Sequence, residues 1–207
     1  MAESKIKKFN HLKIHSQYSI CEGAIKIDEL KDFCKDNKIK SLGLCDTTNL
    51  CGALEFAEKI SKSGTQPIIG TQINFKYGET TGLLPLYALN KEGYQRIIEL
   101  SSLSFLNNNE ISDPHLDFKE LLNKNEGISL FSGTVNGLFG KLFDKGKFSE
   151  IESLYSTLKS KYNDRFYIEI QRHEDQNEIS FEKFNLQKSN DFKIPLIAIN
   201  TRSDKVS

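Results

Sequence analysis

The stretch that decides the fold reads Asn10-His11-Leu12-Lys13-Ile14-His15-Ser16-Gln17-Tyr18-Ser19. Alternate side chains of a strand point the same way, so residues 11, 13 and 15 share one face of the predicted first strand, Phe9 to His15. Neutral imidazoles in such a pattern suit borderline divalent metal ions. The middle position, however, is Lys13, a cation that repels a metal ion. The stretch therefore predicts a site built like a metal site in which a ligand has been replaced.

A second informative stretch reads Cys45-Asp46-Thr47-Thr48-Asn49-Leu50-Cys51-Gly52 and follows the predicted strand Ser41 to Cys45. Asp46 stands at the end of that strand, where a carboxylate can act in catalysis or cap the following turn. We favour the cap of the turn Thr47 to Asn49, because aspartate side chains commonly bond to the backbone of a turn. Cys45 and Cys51 are interpreted as small buried apolar groups on either side of the site.

Lys13 and three other charged or polar side chains each have two interpretations. Lys13 could bind phosphate or act as a general base, but we expect its ammonium to fill a vacated metal position and to pair with Glu22 or Asp46. His15 and Glu22 could form a residual one-metal site, and we favour a hydrogen-bonded polar pair. His173 could be a ligand, although a lone histidine after a strand is more often a surface residue.

Composition excludes several classes of protein. The 207 residues include 38% hydrophobic residues, which is typical of a folded globular protein, and the 28 basic and 28 acidic residues balance. This neutrality argues against a domain that mainly grips nucleic-acid backbone, although a local basic patch remains compatible with it. No apolar run approaches the ~20 residues of a membrane span, and no signal peptide is recognisable. The cysteines show no CxxC spacing, so we expect reduced thiols in a cytoplasmic protein and no zinc site.

Short apolar runs alternate with amphipathic helical patterns along the chain, which predicts an α/β fold with mostly parallel strands. No glycine-rich nucleotide-binding motif follows the first strand, and polar side chains stand at the strand ends, so a barrel is favoured over a doubly wound sheet. A turn is expected over Tyr77 to Gly82 and a polar loop over 107–110. The predicted strands are Phe9 to His15, Ser41 to Cys45, Pro67 to Phe75, Leu83 to Leu89, Ile128 to Phe131, Phe166 to Ile170 and Leu196 to Ile199. The predicted helices lie near 27–34, 52–63, 94–98, 118–122, 148–162 and 178–188.

Taken together, these stretches resemble the PHP (polymerase and histidinol phosphatase) domain, in the branch found at the N-terminus of the bacterial DNA polymerase III alpha subunit. The resemblance implies a distorted PHP-type (β/α) barrel of mostly parallel strands, incomplete at the C-terminus of this chain. The matching stretches occur in the family's order and are 11–19, 46–56, 66–70, 88–94, 130–133, 166–173 and 194–200.

Active members of this family hold a metal cluster with ligands from several strand ends, and most of those positions are changed here. Two of them survive, His15 and Glu22. The replaced positions are Lys13, Thr47, Gln72, Leu83, Thr134, Thr201 and Ser203. Amide, hydroxyl, alkyl and ammonium groups cannot together neutralise several divalent cations. We therefore expect no catalytic, cofactor-binding or metal-binding residue, and Mn or Zn only if the site is active after all.

The resemblance implies a PHP domain over 1–207, with a flexible start at 1–8 and an off-pattern tail at 201–207, as the N-terminal fragment of a longer polymerase. The parent would be a DNA-directed DNA polymerase, a nucleotidyltransferase acting in DNA replication in the cytoplasm, at the nucleoid. This segment would be a structural and docking domain for the proofreading exonuclease subunit, inactive alone and contacting DNA only through downstream domains. The alternative is an active metal-dependent phosphoesterase or 3′-5′ exonuclease.

Overall fold

The computed structural model describes residues 9–106, 113–123, 125–173 and 176–200. The strands are β1 (Ser41–Thr47), β2 (Gln66–Tyr77), β3 (Thr80–Ala88), β4 (His115–Asp117), β5 (Ile128–Phe131), β6 (Phe166–Ile170) and β7 (Leu196–Ala198). The helices are α1 (Ile27–Asn37), α2 (Ala53–Lys62), α3 (Lys91–Leu106), α4 (Leu138–Asp144), α5 (Phe148–Tyr162) and α6 (Gln176–Phe192). Short 3₁₀ helices cover Phe118–Leu122 and Asn163–Arg165. The expected start 1–8, the loop 107–110 and the tail 201–207 lie outside the described residues.

The strands form one mixed sheet in the order β1-β2-β3-β5-β6-β7, with β4 paired to β2. Four of the pairings are parallel: β1 with β2, β2 with β4, β5 with β6, and β6 with β7. Strand β3 runs antiparallel to both β2 and β5. The predicted α/β class with mostly parallel strands is confirmed, and the described part of the chain forms a half-barrel with helices packed against it.

The connection between β2 and β3 is tighter than the sequence predicts. A turn was expected over Tyr77 to Gly82, but β2 continues through Tyr77 and β3 begins at Thr80. The turn consists of Gly78 and Glu79, and Gly78 has a φ of 55°. Two-residue hairpin turns with positive φ match the twist of the flanking strands, and β-branched threonines favour extended backbone. The expected turn is therefore present, but as a two-residue hairpin turn shorter than predicted.

The predicted first strand is present as an extended segment and not as a regular strand. Ile14 forms a single parallel bridge with Leu44, and the amide of Gly43 donates to the His11 carbonyl at 2.8 Å. Gly43 lets this segment approach β1, because a Cβ at that position would lie 2.2 Å from the Leu12 carbonyl oxygen. The segment therefore follows the edge of β1 and carries Lys13 and His15 to the end of the sheet.

Side chains of the sheet alternate between two apolar layers. Ile73 and Phe75 of β2 belong to the large core that the sheet forms with α3, α4, α5 and α6. Ile68 and Tyr87 face the other way, into a smaller cluster with Cys45, Phe131 and Ile199. A third cluster fills the space between β1, α1 and α2. Since alternate residues share a face, Gln72 lies on the Ile68 side of β2, beyond the smaller cluster.

The predicted helix near 148–162 matches α5, which runs from Phe148 to Tyr162. Tyr155, Leu158 and Tyr162 are fully buried and Phe148 is partly exposed, so the apolar face of α5 packs against the core. The short helix α4 and the strand β4 were not predicted. Among the described residues, no helix is long and apolar enough to cross a membrane.

Candidate functional site

A cavity of about 390 Å³ opens at one end of the sheet. Lys13 and His15 reach it from the N-terminal segment, Gln72 from β2, Leu83 from β3 and Thr134 from the loop after β5. These side chains were predicted as positions of one site and the fold brings them together, although 121 residues separate the first from the last in the numbering of the chain. The other lining residues are Val135, Asn136, Gly137, Gln171, His173 and Glu178.

Two further predicted positions are tied to this cavity by hydrogen bonds. The Gln72 side chain donates from Nε2 to Thr47 Oγ1 at 2.8 Å. The Thr47 hydroxyl in turn donates to the Glu22 carboxylate. The Gln72 amide, the Thr47 hydroxyl and the Glu22 carboxylate therefore form a hydrogen-bond network at the side of the cavity. The last two predicted positions, Thr201 and Ser203, lie outside the described residues.

Lys13 pairs with Glu169, and the predicted pairing with Glu22 or Asp46 is wrong. Lys13 Nζ lies 3.3 Å from Glu169 Oε1, and the two side chains are 4% and 0% exposed. Strand β6 places Glu169 on this side because its neighbours, Phe166 and Ile168, point into the large core. A charge inside an apolar strand needs a partner, and Lys13 supplies it from the N-terminal segment.

The surroundings hold Glu169 in place. Gln171 Nε2 donates to Glu169 Oε1 at 2.6 Å, and the Glu169 amide donates to Ser132 Oγ at 3.0 Å. The second carboxylate oxygen, Oε2, is buried and has no hydrogen-bond partner among the described residues. Sequence reasoning missed Glu169, although a lone acidic residue within the buried strand Phe166 to Ile170 was a usable signal.

Asp46 anchors the turn that follows His15, and the predicted cap of Thr47 to Asn49 is wrong. One carboxylate oxygen accepts from the Ser16 amide at 2.6 Å and from Ser19 Oγ at 2.8 Å. The other accepts from Ser16 Oγ at 2.8 Å. The carboxylate is buried among donors, so it orients the polypeptide that carries His15. The side chain of Asn49, and not that of Asp46, stabilises the turn, because Asn49 Nδ2 donates to the Thr47 carbonyl at 2.9 Å.

His15 is a buried imidazole that lines the cavity. Burial lowers its pKa, and the positive charge of Lys13 lowers it further. Its side chain is 4% exposed at the residue level, and Nδ1 has no hydrogen-bond partner in the described part of the chain. Glu22 is satisfied by the Thr47 hydroxyl, which donates to its carboxylate, whereas His15 Nδ1 lacks a partner, so hydrogen bonds satisfy only one member of the expected polar pair in this way.

Contacts between the residues after β6 and α6 lie at the rim of the cavity. His173 lies at the rim, where Nδ1 is 3.0 Å from Glu178 Oε1 and its amide donates to Glu178 Oε2 at 2.7 Å. Arg172 contacts Glu182 on the next turn of α6 through a bidentate pair, with Nη2 at 2.6 Å. His173 is therefore a partly exposed residue held by an acid, in agreement with the surface interpretation.

The two cysteines beside the site differ. Cys45 is fully buried, and burial raises the pKa of its thiol to about 12. Cys51 is exposed, so the prediction that both are buried is wrong for this residue. Cys51 lies in a polar turn, where its amide donates to Asn49 Oδ1 at 3.0 Å.

The family model of the PHP domain matches residues 11–173 of this chain. The chain belongs to the PHP domain family. The DNA polymerase III subunit alpha of Caulobacter vibrioides is 34% identical to this PHP domain over 208 residues, which cover 97% of this chain and 18% of that protein. The subunit of Haemophilus influenzae is 31% identical over 197 residues, covering 93% of this chain and 17% of that protein. The chain thus spans less than a fifth of the length of these relatives, and the predicted resemblance is confirmed.

Solved structures confirm the fold of this PHP domain. A candidate metal-dependent phosphoesterase from Bifidobacterium adolescentis superposes with a TM-score of 0.61 at 10% identity, covering 95% of this chain and 88% of that one. An amidohydrolase from Chromobacterium violaceum, solved with sulfate and no metal, gives a TM-score of 0.60 at 11% identity, covering 94% and 87%. At such low identity, the likeness establishes the shared architecture alone.

A cluster of divalent ions does not fit the side chains that line this cavity. Lys13 is a cationic donor, Leu83 has no donor atom to offer a metal, and Gln72 is a neutral amide. His15 Nδ1 is the one buried imidazole nitrogen at the cavity left without a partner in the described residues. Within those residues, no group of three or more His, Cys, Asp or Glu side chains is placed to hold a metal ion.

Proposed function

We propose that this PHP domain acts in DNA replication as a structural and docking domain of a DNA polymerase III alpha chain, without polymerase or hydrolase chemistry of its own. The similarity to alpha subunits over 93–97% of the chain supports the polymerase context. The domain would occupy all of 1–207, work in the cytoplasm at the nucleoid, and contact DNA only through domains that follow it in the polymerase.

The observation that carries this proposal is the buried Lys13–Glu169 pair. Where a metal-dependent enzyme needs cations bound by carboxylates and imidazoles, this chain provides its own ammonium against a carboxylate. The positive charge is covalently attached, so it can hold the N-terminal segment against β6 but cannot activate a water molecule as a divalent ion does. The ion pair therefore favours a structural role of this site over a catalytic role.

Metal content and phosphodiesterase activity of the purified chain test the absence of hydrolase chemistry. We expect no stoichiometric metal after purification without chelators, no turnover of a phosphodiester substrate with Mn²⁺ or Zn²⁺, and no change of Tm with EDTA. Bound metal stabilises a folded state by mass action, so an EDTA-sensitive Tm would count against the proposal. Turnover that is lost in the His15→Ala variant, with metal bound stoichiometrically, would overturn it.

The docking partner we propose is the proofreading exonuclease subunit of the same replicative polymerase, bound on the outside of the half-barrel. This part of the proposal is supported by the relation to polymerase alpha subunits and is tested separately. Purified chain and exonuclease subunit should co-elute in size-exclusion chromatography and give a saturable calorimetric titration. A heat-inactivated sample of the exonuclease subunit serves as the control and should not associate with the chain. The absence of association at tens of micromolar of both proteins would reject the docking role and leave the structural role standing.

A further inference from the structure

A second, much smaller cavity lies between β6 and α6, next to the ion pair. Its volume is about 20 Å³, and both Glu169 of β6 and Asn185 of α6 line it. Glu169 is 3% exposed and Asn185 is 0% exposed. Each of these two buried side chains has one polar atom without a hydrogen-bond partner in the described chain, Oε2 of Glu169 and Nδ2 of Asn185.

The two unpartnered atoms have complementary chemistry. The carboxylate oxygen accepts hydrogen bonds only, and the amide nitrogen donates only. In the structure the Tyr155 hydroxyl donates to Asn185 Oδ1 at 3.0 Å, which leaves Nδ2 for the cavity. Leaving both atoms unsatisfied would destabilise the fold, because each buried polar atom gives up its hydrogen bonds to water without a replacement. A ligand that accepts one hydrogen bond and donates another would satisfy both.

We propose that one ordered water molecule occupies this cavity, accepting from Asn185 Nδ2 and donating to Glu169 Oε2. The cavity has the size for it, since a buried water needs about 10–15 Å³ or more of probe-occupied volume and two to four polar partners. Thr134, Gln171 and Glu178 also line the cavity and offer acceptors for the second hydrogen. A larger ligand is excluded by the volume.

The water completes a continuous network from the helices to the site. It runs from the Tyr155 hydroxyl of α5 through Asn185 of α6 and the water to Glu169, and from there to Lys13. The position of α6 is thereby coupled to the ion pair of the N-terminal segment. The inference stands on the buried atoms alone and does not depend on the proposed docking role.

A crystal structure of the full 207-residue chain at about 1.6 Å resolution tests the site directly. We expect a density peak within about 2.7–3.2 Å of both Asn185 Nδ2 and Glu169 Oε2. A direct contact between these two atoms at that distance, with no density between them, would overturn the proposal, and so would an empty cavity.

Thermal unfolding of variants provides a second, independent test. Asn185→Leu removes one side of the bridge and should lower the Tm by about 3–8 °C. Glu169→Gln removes the other side and also breaks the ion pair with Lys13, so it should lower the Tm by about 6–20 °C. Because they share one water, the double variant should lose clearly less than the sum of the two losses. The control pair combines Glu169→Gln with Tyr162→Phe, which removes a buried hydroxyl bonded to the Leu121 carbonyl at 2.8 Å. In this control pair the two losses of Tm should add. If the losses of Tm also add in the Asn185→Leu and Glu169→Gln pair, the water bridge is contradicted.

Discussion

Lys13 Nζ lies 3.3 Å from Glu169 Oε1 inside the domain, although 156 residues separate the two in the chain. The pair joins the N-terminal segment to β6 beside the cavity, where the sequence predicted replaced metal-ligand positions. A buried ion pair of this kind adds little net stability compared with an apolar pair of the same shape, but losing one partner leaves an uncompensated charge. The arrangement therefore makes each residue dependent on the other.

The first prediction concerns this dependence. Lys13→Met or Glu169→Gln alone should lower the free energy of unfolding by about 3–5 kcal/mol, because the remaining charge stays buried without its partner. The double variant Lys13→Met/Glu169→Gln should recover most of that loss. Urea unfolding followed by circular dichroism measures the differences, with Lys62→Met on the exposed side of α2 as a matched control. Equal losses in Lys13→Met and Lys62→Met would show that the pair carries no such coupling.

A second prediction concerns the turn after His15. Asp46→Ala should lower the free energy of unfolding by roughly 3 kcal/mol, since a buried carboxylate that accepts from Ser16 and Ser19 is lost and the donors are left unsatisfied. Amide hydrogen exchange should show the loss of protection at Ser16, whose amide donates to Asp46. Asp36→Ala, on the exposed end of α1, should change stability by less than about 0.5 kcal/mol. Unchanged protection at Ser16 in Asp46→Ala would refute the anchoring role.

A third prediction concerns the thiols. Cys21 and Cys51 are exposed and should react rapidly with a disulfide reagent at pH 8. Cys45 should stay unreactive until the protein unfolds. Burial raises the pKa of its thiol to about 12, and at pH 8, well below that pKa, almost none of the thiol is ionised to the reactive thiolate. Cys34 should behave similarly, since burial also raises its pKa. Ellman titration of the folded chain should count about two thiols, rising to four in guanidinium. Rapid release of more than two from the folded chain would be incompatible with the fold.

A fourth prediction concerns the close approach of the N-terminal segment to β1. Gly43→Ala should lower the free energy of unfolding by more than about 2 kcal/mol, because its Cβ would lie 2.2 Å from the Leu12 carbonyl oxygen. Gly64→Ala is the control: no atom lies within 4 Å of the added Cβ, and only its φ of 77° opposes the substitution, at about 1 kcal/mol. Urea midpoints should place Gly43→Ala well below Gly64→Ala, and the reverse order would contradict the packing described.

Most of the fold could be predicted from the sequence because its signals are local. The apolar spacing of α1, α2 and α5 and the short runs of β1, β5 and β6 depend only on near neighbours along the chain. The predicted turn around Gly78 is longer than the observed one. The threonines after Glu79 suggest a turn in the sequence, but in the structure they belong to β3. The segment before Ser16 was predicted as a strand, but it pairs with β1 at only one bridge.

The positions of the candidate site could be predicted, but not its bonds. Five of the predicted positions line one cavity and two more bond to its side, because the strand ends that carry them converge in this fold. The acid that pairs with Lys13 is determined by the position of β6 in the folded sheet. No residue near Lys13 in the sequence indicates Glu169. The partners of Asp46 were missed for the same reason, although Ser16 and Ser19 are part of the opening stretch.

The 156-residue separation of Lys13 and Glu169 also has a consequence for folding kinetics. Closing so long a loop costs entropy before the contact contributes, so we expect the pair to form after the β2–β3 hairpin, which closes through two residues. A contact that forms late slows unfolding without accelerating folding. The ion pair would then determine how slowly the folded domain opens, and hence how long the N-terminal segment stays in place once the chain has folded.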